Sequence, residues 1–274
     1  MWKTREKFFH CVENSGSLFA VRRRGTMRRW MIGGFLACMA CGAAGAEELT
    51  PVEIVRRCDD LLRGEESFCK LTMTVTRPKW SRTVAMEAWT RGTKDSFIRV
   101  LSPPKEQGVT FLKKGREAWQ YAPSIDRVIK IPPSMMLQSW LGSDFTNDDV
   151  VRADSLVVDY DHVIGSEPEE DGVAYWVVEA RPKPSAPVVW GRVDLKIRKD
   201  DFIPVRVDYF DEDAGLVKYY ETADFAEVEG RRLATRMTMH DQSRPGHQTE
   251  IRYESLTFKP DMRPDTFTVQ NLRR

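Results

Sequence analysis

The stretch "LTMTVT", residues 71–76, decides the fold class, because apolar side chains alternate strictly with threonine along it. Successive side chains of a β-strand point to opposite faces of a sheet, so the pattern predicts a strand with one buried face and one face in water. An amphipathic helix would instead repeat its apolar residues at every third or fourth position. The sequence therefore favours a half-buried sheet at this point of the chain.

Segments of the same kind recur along the rest of the chain, separated by turn sequences such as Arg244-Pro245-Gly246. Further strands are predicted at residues 83–89, 96–101, 109–112, 118–121, 127–131, 156–163, 174–180, 188–197, 203–209, 216–222, 234–240 and 248–258. Short strands at this spacing are typical of antiparallel meanders, sandwiches and barrels. A membrane-spanning barrel shows the same alternation, but charges along most of these strands disfavour it. Because few helices are available to cover the apolar face, we expect a curved sheet that rolls around it.

A helix is predicted before the first strand. Thr50 is a suitable N-cap, Pro51 suits the first helical position and Glu53 completes a capping box. Apolar residues then recur at helical spacing, and Gly64 is suited to end the helix. Because the helix has a single apolar stripe, we expect it to lie against the sheet.

The first 46 residues differ in composition from the rest. They carry eight Lys or Arg and two acids, whereas the other 228 residues carry 34 basic and 39 acidic side chains. Met27-Arg28-Arg29 leads into a short apolar run, and Ala44-Gly45-Ala46 offers a cleavage site, so residues 1–46 are interpreted as a signal peptide for export, with Met27 as the better start. Residues 47–274 are expected to form one domain. Lipidation at Cys38 or Cys41 stays open as an alternative.

Catalytic and metal-binding patterns are scarce in residues 47–274. His162, His240 and His247 lie on separate segments, and no H-E-x-x-H, G-x-S-x-G, P-loop or Cys-x-x-Cys motif occurs. The scattered distribution of Lys and Arg in an acidic chain argues against nucleic-acid binding. We therefore expect neither an enzyme nor a metal or other cofactor.

Two further polar features leave alternatives open. Cys58 and Cys69 are the cysteines outside the predicted signal peptide, so a disulfide between them is a candidate, with two buried free thiols as the alternative. The acid-rich stretch from Asp144 to Asp149 could suggest calcium, but it lacks the spacing of an EF-hand loop. Capping of a following turn by Ser143 or Thr146 explains the acids more simply.

The stretch "IPPSMMLQSWLGSDFTNDD", residues 131–149, interrupts the strands with large apolar side chains. Helical spacing would place Met136, Leu137, Trp140 and Leu141 on one face, which predicts a two-turn amphipathic helix over residues 134–142. Such a helix would dock as a permanent plug or as a movable lid. The candidates for lining an apolar ligand cavity are Met135, Met136, Leu137, Trp140, Leu141, Phe145, Trp89 and Trp119.

Five runs of the chain resemble the bacterial outer-membrane lipoprotein-sorting, LolA-like family. They are "ELTPVEIVRRCDDLLRG" (48–64), "RVLSPPKEQGVTFLKKG" (99–115), "AWQYAPSIDRVIKIPPSMMLQSWLGSDFTNDDV" (118–150), "PVVWGRVDLKIRKDDFIPVRVDYFDE" (187–212) and "FTVQNLRR" (267–274). The resemblance implies a mainly β fold: an unclosed antiparallel barrel of about eleven strands, with an N-terminal helix and short lid helices over an apolar cavity. On this resemblance, residues 134–142 would supply lid elements and residues 50–63 the helix packed across the barrel.

The resemblance also implies a function. It predicts a periplasmic carrier that binds the acyl chains of lipoproteins or other lipids, between an inner-membrane transporter and an outer-membrane acceptor. The alternative is a sensor or interaction module of the same fold that works with an inner-membrane regulator. Chemistry hosted in the cavity is a third hypothesis, for which the sequence offers no obvious set of titratable residues.

Overall fold

A helix lies at the start of the described chain, as the capping pattern predicts. The computed structural model describes residues 49–151 and 155–274, and the predicted signal peptide lies outside them. The helix, α1 (Pro51–Arg63), begins after Thr50, whose Oγ1 accepts a hydrogen bond from the backbone N–H of Glu53 at 3.4 Å. It ends at Gly64, which has a positive φ of 56°. Ile54 and Val55 bury its apolar stripe against the sheet.

The described strands form one antiparallel sheet of fourteen. They are β1 (Glu66–Arg77), β2 (Trp80–Arg91), β3 (Asp95–Ser102), β4 (Thr110–Lys114), β5 (Glu117–Ala122), β6 (Arg127–Lys130), β7 (Tyr160–Ser166), β8 (Glu169–Glu170), β9 (Val173–Pro182), β10 (Arg192–Arg198), β11 (Pro204–Phe210), β12 (Leu216–Val228), β13 (Arg231–Asp241) and β14 (Gln248–Phe258). The prediction of a mainly β, unclosed antiparallel architecture is confirmed. The strands outnumber the expected eleven, partly because pieces as short as β6 and β8 pair separately.

The free edges of the sheet lie in the middle of the chain. The strand order is β6-β5-β4-β3-β2-β1-β14-β13-β12-β11-β10-β9-β7, with β8 beside β9. Because β1 pairs with β14, the first and last strands are neighbours and the two edge strands are β6 and β7. The connection from β6 to β7 contains residues 131–151, termed the covering segment, which ends in α2 (Asn147–Val151), and it also contains α3 (Ser155–Val158).

The pairing register sorts the side chains into two faces. Cys69, Leu71, Met73 and Val75 of β1 share one face and pack in a core cluster that includes Trp140 of the covering segment. We term this the inner face. A second inner cluster joins α1 to β9, β10 and β11, and it also contains Phe145 of the covering segment. Both α1 and the covering segment therefore lie on the inner face of the sheet.

The opposite, outer face carries an apolar cluster near the β6 edge. Trp89 faces Phe97 across β2 and β3, and Leu112 faces Trp119 across β4 and β5. The C-terminal 3₁₀ helix (Val269–Arg273) covers these residues with the buried side chain of Leu272. We term this group, together with Phe267, the outer cluster.

Two predicted strands begin too early, since the strand predicted from residue 188 starts only at Arg192 as β10. The pattern from residue 156 predicts a strand, but residues 155–158 form α3 and β7 begins only at Tyr160. Leu156 and Val157 pack against the same cluster as α1, so a helical turn buries these two side chains without a strand. A short apolar run does not distinguish a buried helical turn from a strand by periodicity alone.

Candidate functional site

The covering segment is not the predicted two-turn helix. Residues 133–135 and 140–142 form separate 3₁₀ turns, and Ser139 between them is extended and bridges to Thr146. Side-chain hydrogen bonds from Ser139 Oγ to the Ser143 carbonyl and from Ser143 Oγ to the Trp140 carbonyl, both 2.6 Å, take the place of helical ones. The chain turns at Leu141, which has a φ of 50° that is costly for a residue other than glycine.

The loop geometry changes which of the predicted side chains point inward. Met136, Trp140 and Phe145 are buried, and Met135 and Leu141 are half-buried. Leu137 is 61% exposed, so the prediction that it shares an apolar face with Met136 and Trp140 is wrong. The reason is that successive 3₁₀ turns broken by an extended residue do not repeat at 3.6 residues per turn.

The side chains of Trp89 and Trp119 pack away from the covering segment, although Trp119 also lines the small free volume beneath that segment. Both belong to the outer cluster, on the face of the sheet opposite to Trp140. The structure therefore divides the predicted cavity residues between two faces. The alternation of the sequence could have placed Trp89 on the outer face. Trp89 follows Ala88, which lies on the inner face beside Cys69, and successive strand residues point to opposite faces.

The interior beneath the covering segment is apolar and filled. The Trp140 ring packs edge-on against Phe111, with ring centres 5.4 Å apart, and Met136 packs with Ile131, Ala118 and Val151. The free volume between them is about 10 Å³, roughly what a single water molecule needs. The Trp140 indole N–H is buried there without a hydrogen-bond partner. Side chains of the covering segment thus occupy the interior.

Arginines from the sheet bind the covering segment. The Arg77 guanidinium lies 2.9 Å from Asp144 Oδ2 and donates a second hydrogen bond, of 3.0 Å, to the Gly142 carbonyl. Thr249 Oγ1 donates to the same Asp144 oxygen at 2.7 Å. Arg82 donates to the Leu141 carbonyl. The sequence did not identify these arginines, because their partners lie more than fifty residues away along the chain.

Asp149 of this segment caps a helix and forms an ion pair. Thr146 and Asp149 form the predicted cap of α2, since the Asp149 backbone N–H donates to Thr146 Oγ1 and the Thr146 N–H donates to Asp149 Oδ2. Lys218 Nζ of β12 lies 2.5 Å from the same Asp149 oxygen. Within residues 49–151 and 155–274, no three His, Cys, Asp or Glu side chains come together as a metal site requires.

Cys58 and Cys69, the cysteines within the described residues, are free thiols in separate clusters. Cys58 packs from α1 against the cluster of β9 to β11, whereas Cys69 packs with the β1 and β2 cluster, so the candidate disulfide is not formed. Burial raises the pKa of the Cys69 thiol to about 12, and burial also raises the pKa of Cys58. Both thiols are therefore protonated and poor nucleophiles near neutral pH.

A second cavity lies on the outer face and has a different character. It has a free volume of about 180 Å³ and is lined by Trp89, Phe97, Arg99, Asp261, Arg263, Thr266 and Asn271. Two guanidinium groups and a carboxylate line it, so burying an acyl chain there would desolvate charges. The apolar interior beneath the covering segment is the better candidate site for an acyl chain.

Three solved structures have a similar fold. The chain aligns with a Vibrio parahaemolyticus domain described as an outer membrane lipoprotein-sorting protein (TM-score 0.72, 19% identity, 82% of this chain and 98% of that one). It aligns with a DUF1329 family protein from Desulfovibrio piger (TM-score 0.75, 23% identity, 81% of this chain and 97% of that one). It also aligns with a LolA superfamily protein from Nitrosomonas europaea (TM-score 0.69, 22% identity, 81% of this chain and 99% of that one). At these identities the likeness shows the fold alone, and the predicted LolA-like resemblance is confirmed at that level.

No curated protein matches the chain. In the part of the chain that the structure describes, no helix is both long and apolar enough to cross a membrane. A family model described as "Uncharacterized protein" matches residues 92–274, more than half of the chain, from β3 to the C-terminal 3₁₀ helix. The chain therefore belongs to the family that this model describes, and its fold is that of the LolA superfamily.

Proposed function

We propose that the protein is a periplasmic carrier that takes acyl chains of lipoproteins or other lipids into its apolar interior, and that the covering segment is the gate. One observation carries the proposal. The covering segment starts at one free edge strand of the sheet and occupies the interior with Met136, Trp140 and Phe145. The description of the Vibrio parahaemolyticus relative as a lipoprotein-sorting domain supports the same class of ligand.

The free-energy balance favours exchange of these side chains for an acyl chain. Burying one methylene contributes about 0.8 kcal/mol, so a chain of about fourteen methylenes contributes about 11 kcal/mol. Exposing three large apolar side chains costs about 1.5–3 kcal/mol each. The difference, about 2–7 kcal/mol, is available to offset the loss of the Asp144–Arg77 and Asp149–Lys218 ion pairs when the covering segment opens. No covalent chemistry is needed for this exchange, so we propose binding rather than catalysis.

The geometry of the gate also supports movement. Leu141 holds a left-handed backbone conformation, and the Trp140 indole N–H lacks a partner, so the closed state carries unfavourable terms that an open state would release. Release of a bound lipid would require partners that favour the open state. We propose an inner-membrane transporter as the donor complex and an outer-membrane acceptor as the recipient.

Uptake of a fluorescent fatty acid tests the proposal. Delipidated residues 47–274 should bind cis-parinaric acid saturably. Thr249→Val should accelerate uptake about tenfold or more, because it removes both hydrogen bonds between Thr249 Oγ1 and Asp144, and each costs about 1–3 kcal/mol of the closed state. Thr257→Val, at an exposed position on the same strand, is the matched control and should leave the rate unchanged. Absence of saturable uptake, together with no lipid in native mass spectra, would overturn the proposal.

A further inference from the structure

Lys218 is a lysine on the apolar face of a strand. It lies on β12 two residues before Tyr220, which packs against the inner cluster, and only 5% of Lys218 is exposed. Its Nζ is 4.8 Å from the Trp190 ring centre and 5.2 Å from the Tyr209 ring centre. Aromatic faces attract a desolvated ammonium group but do not replace its hydration, so a buried lysine also needs a paired anion.

The paired anion comes from the covering segment and not from the sheet. Lys218 Nζ lies 2.5 Å from Asp149 Oδ2, and Asp149 belongs to α2 at the end of that segment. The same oxygen accepts hydrogen bonds from the Thr146 N–H at 2.7 Å and from Thr146 Oγ1 at 2.9 Å. The cation is therefore fixed to the wall of the interior, while the anion belongs to the part of the chain proposed to move.

Other buried cations of the sheet do not depend on the covering segment to the same degree. Arg198 pairs with Asp200 and Asp201 of its own turn. Arg77 pairs with Asp144, but its guanidinium also donates to the Thr76 carbonyl at 2.8 Å, so it keeps a partner when Asp144 leaves. For Lys218, the structure gives Asp149 as the ion-pair partner.

Opening of the covering segment would remove Asp149 and leave the Lys218 ammonium unpaired among aromatic rings, which costs several kcal/mol. A ligand whose own head group is an anion would restore the pair. We propose that Lys218 is a head-group site, and that the interior takes single amphiphiles with a carboxylate or phosphate head group, which replaces Asp149. This inference rests on the proposed function and adds the class of ligand to it.

Competition between ligands that share a chain and differ in head group tests the inference. The neutral fluorescent probe methyl cis-parinarate is displaced from residues 47–274 by dodecanoate, dodecyl phosphate or dodecanol. In the natural chain, at least one anionic competitor should bind about tenfold or more tightly than dodecanol, given the coupling energies of close charge pairs. The ranking of dodecanoate against dodecyl phosphate then distinguishes a carboxylate head group from a phosphate one.

Two variants separate a head-group role from a structural one. Lys218→Met should bind all three competitors alike, whereas Lys70→Met, at an exposed position on β1, should keep the preference for anions. Should Lys218→Met fail to fold by circular dichroism, Asp149→Asn decides, because it removes the carboxylate that competes for Lys218 and should tighten anion binding about tenfold. Dodecanol binding should tighten as well, since opening then breaks no ion pair, and the preference for anions should be kept. Equal binding of the three competitors by the natural chain, a preference that survives Lys218→Met, or unchanged anion binding in Asp149→Asn would overturn the inference. Failure of the neutral probe itself to bind would instead overturn the proposed function.

Discussion

Asp144 joins the covering segment to two strands of the sheet. It is buried, its carboxylate pairs with a buried Arg77, and it accepts a hydrogen bond from Thr249. An ion pair of this kind is costly to break from one side, because the Arg77 charge then keeps only backbone carbonyl partners and no anion. The acid cluster of residues 144–149 thus acts through ion pairs and a helix cap.

Asp144→Ala is expected to lower the free energy of unfolding by about 3–5 kcal/mol, because Arg77 loses its buried carboxylate. Urea denaturation followed by circular dichroism measures the change. Glu254→Ala, at an exposed position on β14, is the control and should change stability by less than about 0.5 kcal/mol. Equal effects of the two substitutions would show that the Asp144 pair does not hold the segment.

Single residues were the hardest part of the site to predict from sequence. The burial of Met136 and Trp140 could be predicted from their size and apolar character. The exposure of Leu137 could not, since only the backbone geometry of the folded segment distinguishes it from them. The unusual position of Lys218 could have been identified from the sequence, because it shares one face of the predicted strand 216–222 with Leu216 and Tyr220. Arg77 and Arg82 could not, because only the folded sheet brings them to the covering segment.

At the scale of elements, α3 is joined to β7 by His162. Its Nε2 lies 2.7 Å from the Leu156 carbonyl, and burial lowers the pKa of the imidazole below its ordinary value of 6.5, although the Leu156 contact acts in the opposite direction. Above pH 6.5 the imidazole is neutral in the folded and unfolded states and adds no pH dependence. As the pH falls through 6.5, the unfolded chain binds a proton that the folded chain resists, so stability decreases.

His162→Gln is expected to reduce this loss of stability between pH 7.5 and pH 5.5. Urea denaturation of the natural chain and of the variant at both pH values measures it. His240→Gln, whose ring stacks on Tyr219, provides a comparison that keeps His162 and should retain the full loss. A pH dependence that is the same in the natural chain and in His162→Gln would contradict the assignment.

The outer cluster contributes to stability and takes no part in the proposed site. Leu272 is fully buried beneath the C-terminal 3₁₀ helix, whereas Val269 of the same helix is 40% exposed. Leu272→Ala should cost about 2–5 kcal/mol of unfolding free energy, and Val269→Ala much less. Because Leu272 packs on the face opposite to Trp140, affinity for cis-parinaric acid should be unchanged in the folded variant. A loss of affinity comparable to the loss of stability would place acyl chains on the outer face.

Elements were predicted with uneven success, and the reason is physical. The helix α1 was predictable because its capping residues and its apolar stripe lie close together in the sequence and indicate the same helix. The covering segment was not, because side-chain hydrogen bonds of Ser139 and Ser143 and the turn at Leu141 outweigh a helical pattern of only two turns. A helix that short has little intrinsic stability, so tertiary contacts decide its shape.

At the scale of the whole molecule, the fold class follows from alternation repeated over many strands. Pairing of β1 with β14 did not follow from it, yet that pairing places the free edges at β6 and β7, beside the covering segment. The account's central claim is that acyl chains enter the interior beneath the covering segment and replace its side chains. The larger, charged cavity beneath the C-terminal helix is the competing location.

Photolabelling with a palmitic acid analogue that carries a diazirine tests the claim most directly, with labelled peptides identified by mass spectrometry and excess palmitate as competitor. We predict competed adducts on residues 131–151 and on inner-face residues such as Phe111 and Met73. Competed adducts confined to the outer cluster around Trp89 and Trp119, with none on residues 131–151, would contradict the account.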